Sequence, residues 1–142
     1  MFLLDTNAVS EPIRQTPDKT FMKHFSEHRT SLVISSVTWH ELLFGWEQLP
    51  EGKRKNAIRA YLFDVVAPSI PVLPYEQTAA EWHARERARL QRRGRPAAFA
   101  DGQIAATAAT RHLTLVTRNL RDFTSFSSLT VESWWGAAPK KA

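Results

Sequence analysis

The chain has 142 residues, 43% of them hydrophobic and 23% charged, a size and balance that fit one globular domain with a proper core. It contains no cysteine, which excludes disulfides, zinc–thiolate centres and thiol nucleophiles and fits a reducing cytoplasm. The formal charge of +5 gathers between positions 85 and 95, where Arg85, Arg87, Arg89, Arg92, Arg93 and Arg95 face a single acid, Glu86.

Met1 to Asp5 has neither the basic start nor the apolar length of a signal peptide, and no run approaches a membrane span. The expected location is therefore the cytoplasm, with no membrane contact. Phe2-Leu3-Leu4 reads as a short buried strand that stops abruptly on Asp5-Thr6-Asn7. A helical turn over Ala8 to Glu11 is cut by Pro12. Thr16-Pro17-Asp18 predicts a helix start with Thr16 as the cap and Pro17 at the first helical position, followed by Phe21, Met22 and Phe25 at helical spacing.

Leu32-Val33-Ile34 is a second strand, and Ser35-Ser36 caps a helix running from Val37 to Leu49 with Glu41 in its early turns. After Pro50-Glu51-Gly52 another helix begins near Lys53, with Ala57, Ile58, Tyr61, Leu62, Val65 and Val66 as its apolar face. Pro68, Pro71 and Pro74 bracket a third strand at Val72-Leu73, placed at a sheet edge because proline lacks the donor a central strand needs. Glu76 to Arg93 is helical, with Ala79, Ala80, Trp82 and Leu90 as its apolar side. An alanine-rich helix covers Ala98 to Thr110 and contains Asp101. Leu113 to Thr117 is the clearest strand, Leu129 to Val131 a shorter one, and Trp134-Trp135 opens a fraying tail. Strands alternating with helices predict an α/β fold: a parallel sheet with helices on both faces.

The acids carry the main clue. Asp5 ends the first strand, Glu41 follows the second and Asp122 follows the fourth, so all three lie toward the carboxyl edge of the sheet, where ligand sites of such folds gather. Asp101 joins them from a helix start. Each alone has an ordinary reading: a cap, a solvated helix residue, a dipole partner, a turn former. Together they imply a shared site. Two carboxylates about 4 Å apart repel by roughly 4 kcal/mol at an effective dielectric near 20, so four need a counter-cation. An all-oxygen donor set points to Mg²⁺ or Mn²⁺ rather than zinc. The five histidines, His24, His28, His40, His83 and His112, show no metal-ligand spacing with an acidic motif and read as surface or packing residues. A carboxylate-held cation beside an arginine stripe points to phosphodiester hydrolysis by activated water, without a phosphate loop or a separate side-chain nucleophile.

Four segments in order resemble the successive motifs of PIN-domain ribonucleases: Asp5-Thr6-Asn7, Ser35 to Leu42, Asp101 to Thr107, and Leu115 to Phe123. The resemblance runs from residue 2 to about 134 and is strongest to VapC/FitB-type toxins of bacterial toxin–antitoxin pairs, which Ser10-Glu11-Pro12 and Pro17-Asp18 also fit. It implies a single PIN-like domain over 1–135, a parallel sheet in the order 3-2-1-4-5, and a flexible tail over 136–142. It implies that Asp5, Glu41, Asp101 and Asp122 hold Mg²⁺ or Mn²⁺, with Asp122 the ligand on which relatives differ. Thr6, Thr117 and Asn119 would orient carboxylates and water. The implied activity is endoribonucleolytic, on RNA, by a homodimer that a VapB-like antitoxin blocks. Gly102 stands where many similar sequences carry alanine.

Arg85, Arg87, Arg89, Arg92, Arg93 and Arg95 lead toward Asp101 and are the candidate RNA contacts. Five Trp and eight Phe are more than an interior of this size requires, so Trp39, Phe44, Trp46, Trp82, Trp134 and Trp135 are candidates for dimer or antitoxin surfaces, with Trp39 and Trp82 assigned to packing. Two other readings compete: a receiver-like Mg²⁺-binding regulatory module and a non-catalytic RNA-binding subunit. The first wants paired acids after strand one and a late lysine; the second leaves the acids unexplained.

Overall fold

A computed structural model of the chain describes residues 1–136. Five short strands, β1 (Phe2–Leu4), β2 (Leu32–Ser35), β3 (Val72–Leu73), β4 (Thr114–Val116) and β5 (Thr130–Glu132), form one sheet in the order β3-β2-β1-β4-β5. Every neighbouring pair is parallel, as the sequence predicts. The register Leu4↔Ile34 and Leu4↔Val116 aligns the ends of the three central strands. Whatever follows those strands therefore emerges at one edge.

Alternation along the strands divides the core in two. Leu4, Ile34 and Val116 point into one cluster with Ala8, Val9, Phe21 and Trp134. Leu3, Val33 and Leu115 point to the opposite side, against Leu90, Ile104, Ala105 and Ala108. The first layer is covered by α1 (Thr6–Ser10) and α2 (Lys19–Glu27), and the second by α6 (Gln77–Arg92) and α7 (Phe99–Thr110). Alanines on α7 are fully buried and let that helix lie close to the sheet. Between these layers the chain runs through α3 (Ser36–Glu47), α4 (Lys53–Ala60) and the single turn α5 (Ala67–Ser69).

Several expectations change. The second helix starts at Lys19, capped by Asp18, whose Oδ1 accepts from the Phe21 N–H at 2.9 Å; Thr16 and Pro17 lie before it. A carboxylate cap satisfies the orphan donors and the dipole together. The expected apolar face over 57–66 breaks because Tyr61–Val66 is a π-helix. Its wider turn sends Leu62 and Val66 inward and leaves Val65 41% exposed. Trp134 and Trp135 do not fray: Trp134 is 1% exposed, and the Trp135 indole N–H donates to Glu11 Oε1 at 2.8 Å. Glu11 is itself buried and also accepts from Arg14 and the Asp18 N–H, so it ties the end of the chain to the start of α2. Of the predicted tail, 137–142 lies outside the described residues.

Candidate active site

The site grows from the ends of β1, β2 and β4. Asp5 follows β1 directly and caps α1, its Oδ1 accepting from the Ala8 N–H at 2.8 Å. Capping occupies one oxygen and fixes the carboxylate. Asp5 is 6% exposed. Burial raises its pKa above the usual range, with the nearby Glu41 charge adding to the rise, while hydrogen bonds from the Thr117 hydroxyl and from the Ala8 and Asn7 amides oppose it. Thr117, at the end of β4, is fully buried, and its Oγ1 accepts from the Asn119 N–H at 3.0 Å. Asn119 thus acts on this network through its backbone, while the residue is exposed.

Glu41 sits on α3, the helix that leaves β2 under the Ser35 cap, where Ser35 Oγ accepts from the Val37 N–H at 3.0 Å. Its Oε1 accepts from the Thr6 hydroxyl at 2.7 Å, and Thr6 also lies 3.5 Å from the Thr38 hydroxyl. Thr6 and Thr117 therefore each hold one acid of the group. Asp101 is in the first turn of α7. Its carboxyl is pushed up to about 6 by burial first, and then by the charges of Asp122, Asp5 and Glu41. Asp122 closes the 3-10 turn Leu120–Asp122 after β4 and lines a cleft with Asp101, Arg95 and Arg121.

The four acids, from four separate elements, thus act on one another electrostatically. Their oxygens remain apart: among the described residues, no three of these carboxylates have oxygens all within 4.8 Å of one another. An open ring is what mutual repulsion produces. It also fits a hard cation that retains several waters and takes only one or two carboxylates directly.

The six arginines have different neighbours. Arg89 makes a fork on Glu86, Nε to Oε2 at 2.8 Å and Nη2 to Oε1 at 2.9 Å, and donates to the Ser125 carbonyl at 2.7 Å. Glu86 also accepts from the Ser127 amide and hydroxyl at 2.6 and 2.7 Å. Arg89 therefore belongs to a latch between α6 and the loop after Asp122. Arg87 lies over the Phe99 ring, 4.9 Å from its centroid, at the start of α7. Arg95 borders the acidic cleft, Arg93 lines a neighbouring hollow with it and Arg89, and Arg85 and Arg92 line a further hollow with Arg89.

Sequence reading missed Arg121, whose place beside Asp122 in a polar turn gives no periodic signal. It left His83 between surface and packing, and missed Glu86 as a buried residue. Their spacing with Ala79 and Leu90 marks the inward stripe of α6, a signal hidden by their polarity. His83 packs where a side chain at Gly102 would stand: a Cβ there would come within 2.6 Å of the imidazole Cδ2. That explains the glycine beside Asp101. Finally, His24, Glu27 and His28 do come together, contrary to the expectation that no histidine has metal-ligand company; their i, i+3, i+4 spacing was the available sign.

Comparison with known proteins agrees with this geometry. The PIN domain model matches residues 2–128. The chain belongs to the PIN domain family. It is 33% identical over 137 residues to the toxin FitB of Neisseria gonorrhoeae, covering 94% of this chain and 99% of that protein. It is 35% identical over 133 residues to the tRNA(fMet)-specific endonuclease VapC of Shigella flexneri, covering 94% and 97%. Among solved structures, FitAB bound to an IR36 DNA fragment superposes with a TM-score of 0.88 at 29% identity, over 99% of this chain and all of that one. Among the described residues of this PIN domain, no helix is long and apolar enough to cross a membrane.

Proposed function

We propose that this PIN domain is an endoribonuclease that hydrolyses RNA with the help of a divalent cation, and that it is the toxin of a toxin–antitoxin pair. The observation that carries the reading is the field at Asp101, whose carboxyl is held near 6 by burial and by Asp122, Asp5 and Glu41 together. An all-carboxylate ring of this kind is relieved by a hard cation, and Mg²⁺ or Mn²⁺ fits its donors. Asp5, Glu41 and Asp101 would hold it, with Asp122 on the open side of the cleft. When bound, the cation supplies a lowered pKa for water and stabilisation of charge on phosphate oxygens.

The chain's own groups do the positioning. The Thr6 hydroxyl keeps Glu41 turned toward the ring, and Thr117, braced by the Asn119 amide, opposes the neutralisation of Asp5. Arg95 and Arg121 border Asp101 and Asp122 and would receive phosphates on either side of a scissile bond. Arg87 on Phe99 extends that basic rim, whereas Arg89 is committed to Glu86. The named specificity of the Shigella flexneri relative puts tRNA first among substrates to try.

A VapB-like antitoxin fits the other flank of Glu41. There a groove lined by Ile13, Leu42, Trp46, Leu49 and Ile58 runs up to Thr6 and Glu41, with Arg14 and Arg54 on its walls. An apolar segment laid in it would end beside the acids and block them. The protein acts as a homodimer in this reading. Cleavage of a tRNA and mRNA panel with Mg²⁺, with Mn²⁺ and with EDTA tests the proposal. Cleavage should require the cation and vanish in Asp5→Asn; cutting that persists in EDTA, or in that variant, would overturn it.

A further inference from the structure

The end of α2 carries three groups that the proposed nuclease does not use. His24, Glu27 and His28 stand one helical turn apart or less, so their side chains share a face. One ligand atom from each, two ring nitrogens and a carboxylate oxygen, lie within 4.8 Å of one another. The two imidazoles are almost parallel, 7° apart with centroids separated by 6.3 Å. Both stack on Trp134, His24 at 5.7 Å and His28 at 5.3 Å, and His28 also packs on Phe2 at 4.6 Å. Trp134 is buried in the core, so the rings rest against a fixed aromatic wall that narrows their freedom. The ion pairs among the described residues leave Glu27 out.

We infer that His24, Glu27 and His28 form a binding site for a divalent transition-metal ion of the Zn²⁺ or Ni²⁺ class. Two imidazoles and a carboxylate are borderline donors, which favour these ions over Mg²⁺ or Ca²⁺. Three protein ligands leave one position for water in a tetrahedral zinc site. Zinc–nitrogen bonds of about 2.0–2.1 Å place tetrahedral donors roughly 3.3 Å apart, so the 4.8 Å spread would have to narrow when an ion binds. The site is also separate from the acidic ring. His28 packs on Phe2, at the start of β1, whereas Asp5 follows its end, with about 10 Å of extended chain between them. An ion here would fasten the last turn of α2 over Trp134.

The test uses the full chain in saturating Mg²⁺, which occupies the acidic ring, titrated with Zn²⁺ by calorimetry and with Ni²⁺ by quenching of tryptophan emission. One Zn²⁺ should bind per chain, and Ni²⁺ should quench because both imidazole ligands lie on Trp134. His24→Gln and His28→Gln should each weaken Zn²⁺ binding by about tenfold or more, as loss of a ligand costs at least what loss of its support does. Glu27 is exposed, so Glu27→Ala should keep the fold and still weaken binding. RNA cleavage in Mg²⁺ should be unchanged in all three. Zn²⁺ uptake that is absent in the parent, or equally tight in the His24→Gln/His28→Gln double variant and in Glu27→Ala, would overturn the site. Neither result would bear on the nuclease reading, which rests on other residues.

Discussion

Asp101→Asn should kill cleavage and yet stabilise the metal-free protein. Ionised Asp101 is penalised in the fold: its carboxyl stands near 6 against an ordinary value of 3.8. Between those values the folded state holds more proton than the unfolded state, so stability falls as pH rises through them. Below the lower value both states are neutral and the penalty is gone; above the upper value it is fully present. At face value the shift corresponds to about 3 kcal/mol. The group is only half-buried, so solvent screening leaves about 1 kcal/mol as the expected gain from removing the charge, or roughly 4 °C in Tm for a domain of this size.

Urea melts of both proteins in EDTA at pH 8 and pH 4 read this directly. The variant should lead at pH 8 and lose most of that lead by pH 4. Mg²⁺ should reverse the order at pH 8, because a cation at ten times its Kd stabilises the parent by about 1.4 kcal/mol and the variant much less. A variant less stable than the parent in EDTA at pH 8, or one stabilised equally by Mg²⁺, would refute the electrostatic account of the ring.

Thr6→Val removes the 2.7 Å bond to Glu41 and should lower cleavage about tenfold while costing roughly 1 kcal/mol of stability, read by kinetics and by denaturant melts. Glu86→Ala strands Arg89 and Ser127 and should cost about 3 kcal/mol; the parent's share of this should fade as pH falls from 4.5 toward about 2, the range over which Arg89 and Ser127 hold Glu86 ionised, as followed by acid titration of the fold. Gly102→Ala should gain about 1 kcal/mol of helix propensity and lose roughly 1–3 to the clash with His83, with cleavage reduced; adding His83→Ala should restore cleavage, and failure of that rescue would break the link. Arg95→Ala with Arg121→Ala should flatten the salt dependence of RNA binding by about two phosphate contacts, measured by fluorescence anisotropy across a salt series.

What could be read from the sequence was whatever repeats locally. Leu3-Leu4, Val33-Ile34 and Leu115-Val116 alternate across a sheet whose parallel sense follows from the helices between them and whose order comes from the PIN-domain resemblance, and an acid shortly after each strand stands out because apolar runs make the boundary sharp. The polar interior was illegible for the opposite reason. Glu86 accepts directly from Ser127 and reaches the Ser125 carbonyl through Arg89, and Glu11 finds Trp135 across almost the whole chain. No local pattern records such pairings, so Glu86 reads as the odd acid in a basic run and Trp135 as a tail residue. The π-turn at Tyr61–Val66 is hidden similarly, since Leu62 and Val66 also fit an ordinary helix.

Those hidden residues bear on the legible ones through α6. On one turn it places His83 against Gly102, next to Asp101. On the next it places Glu86 against the loop that follows Asp122. Asp101 and Asp122 lie on segments whose buried residues, Ile104 on one and Phe123 and Phe126 on the other, share one core cluster, and their two charges repel. Left to repulsion alone, the α7 start and the 120–127 loop would drift apart. A buried imidazole and a buried ion pair on one helix oppose that drift at fixed heights. Asp5 and Glu41 are held instead by the hydroxyls of Thr117 and Thr6. The ring is therefore braced by two mechanisms, and substitutions on α6 should alter cation affinity through Asp101 and Asp122 while leaving the Thr6–Glu41 contact intact.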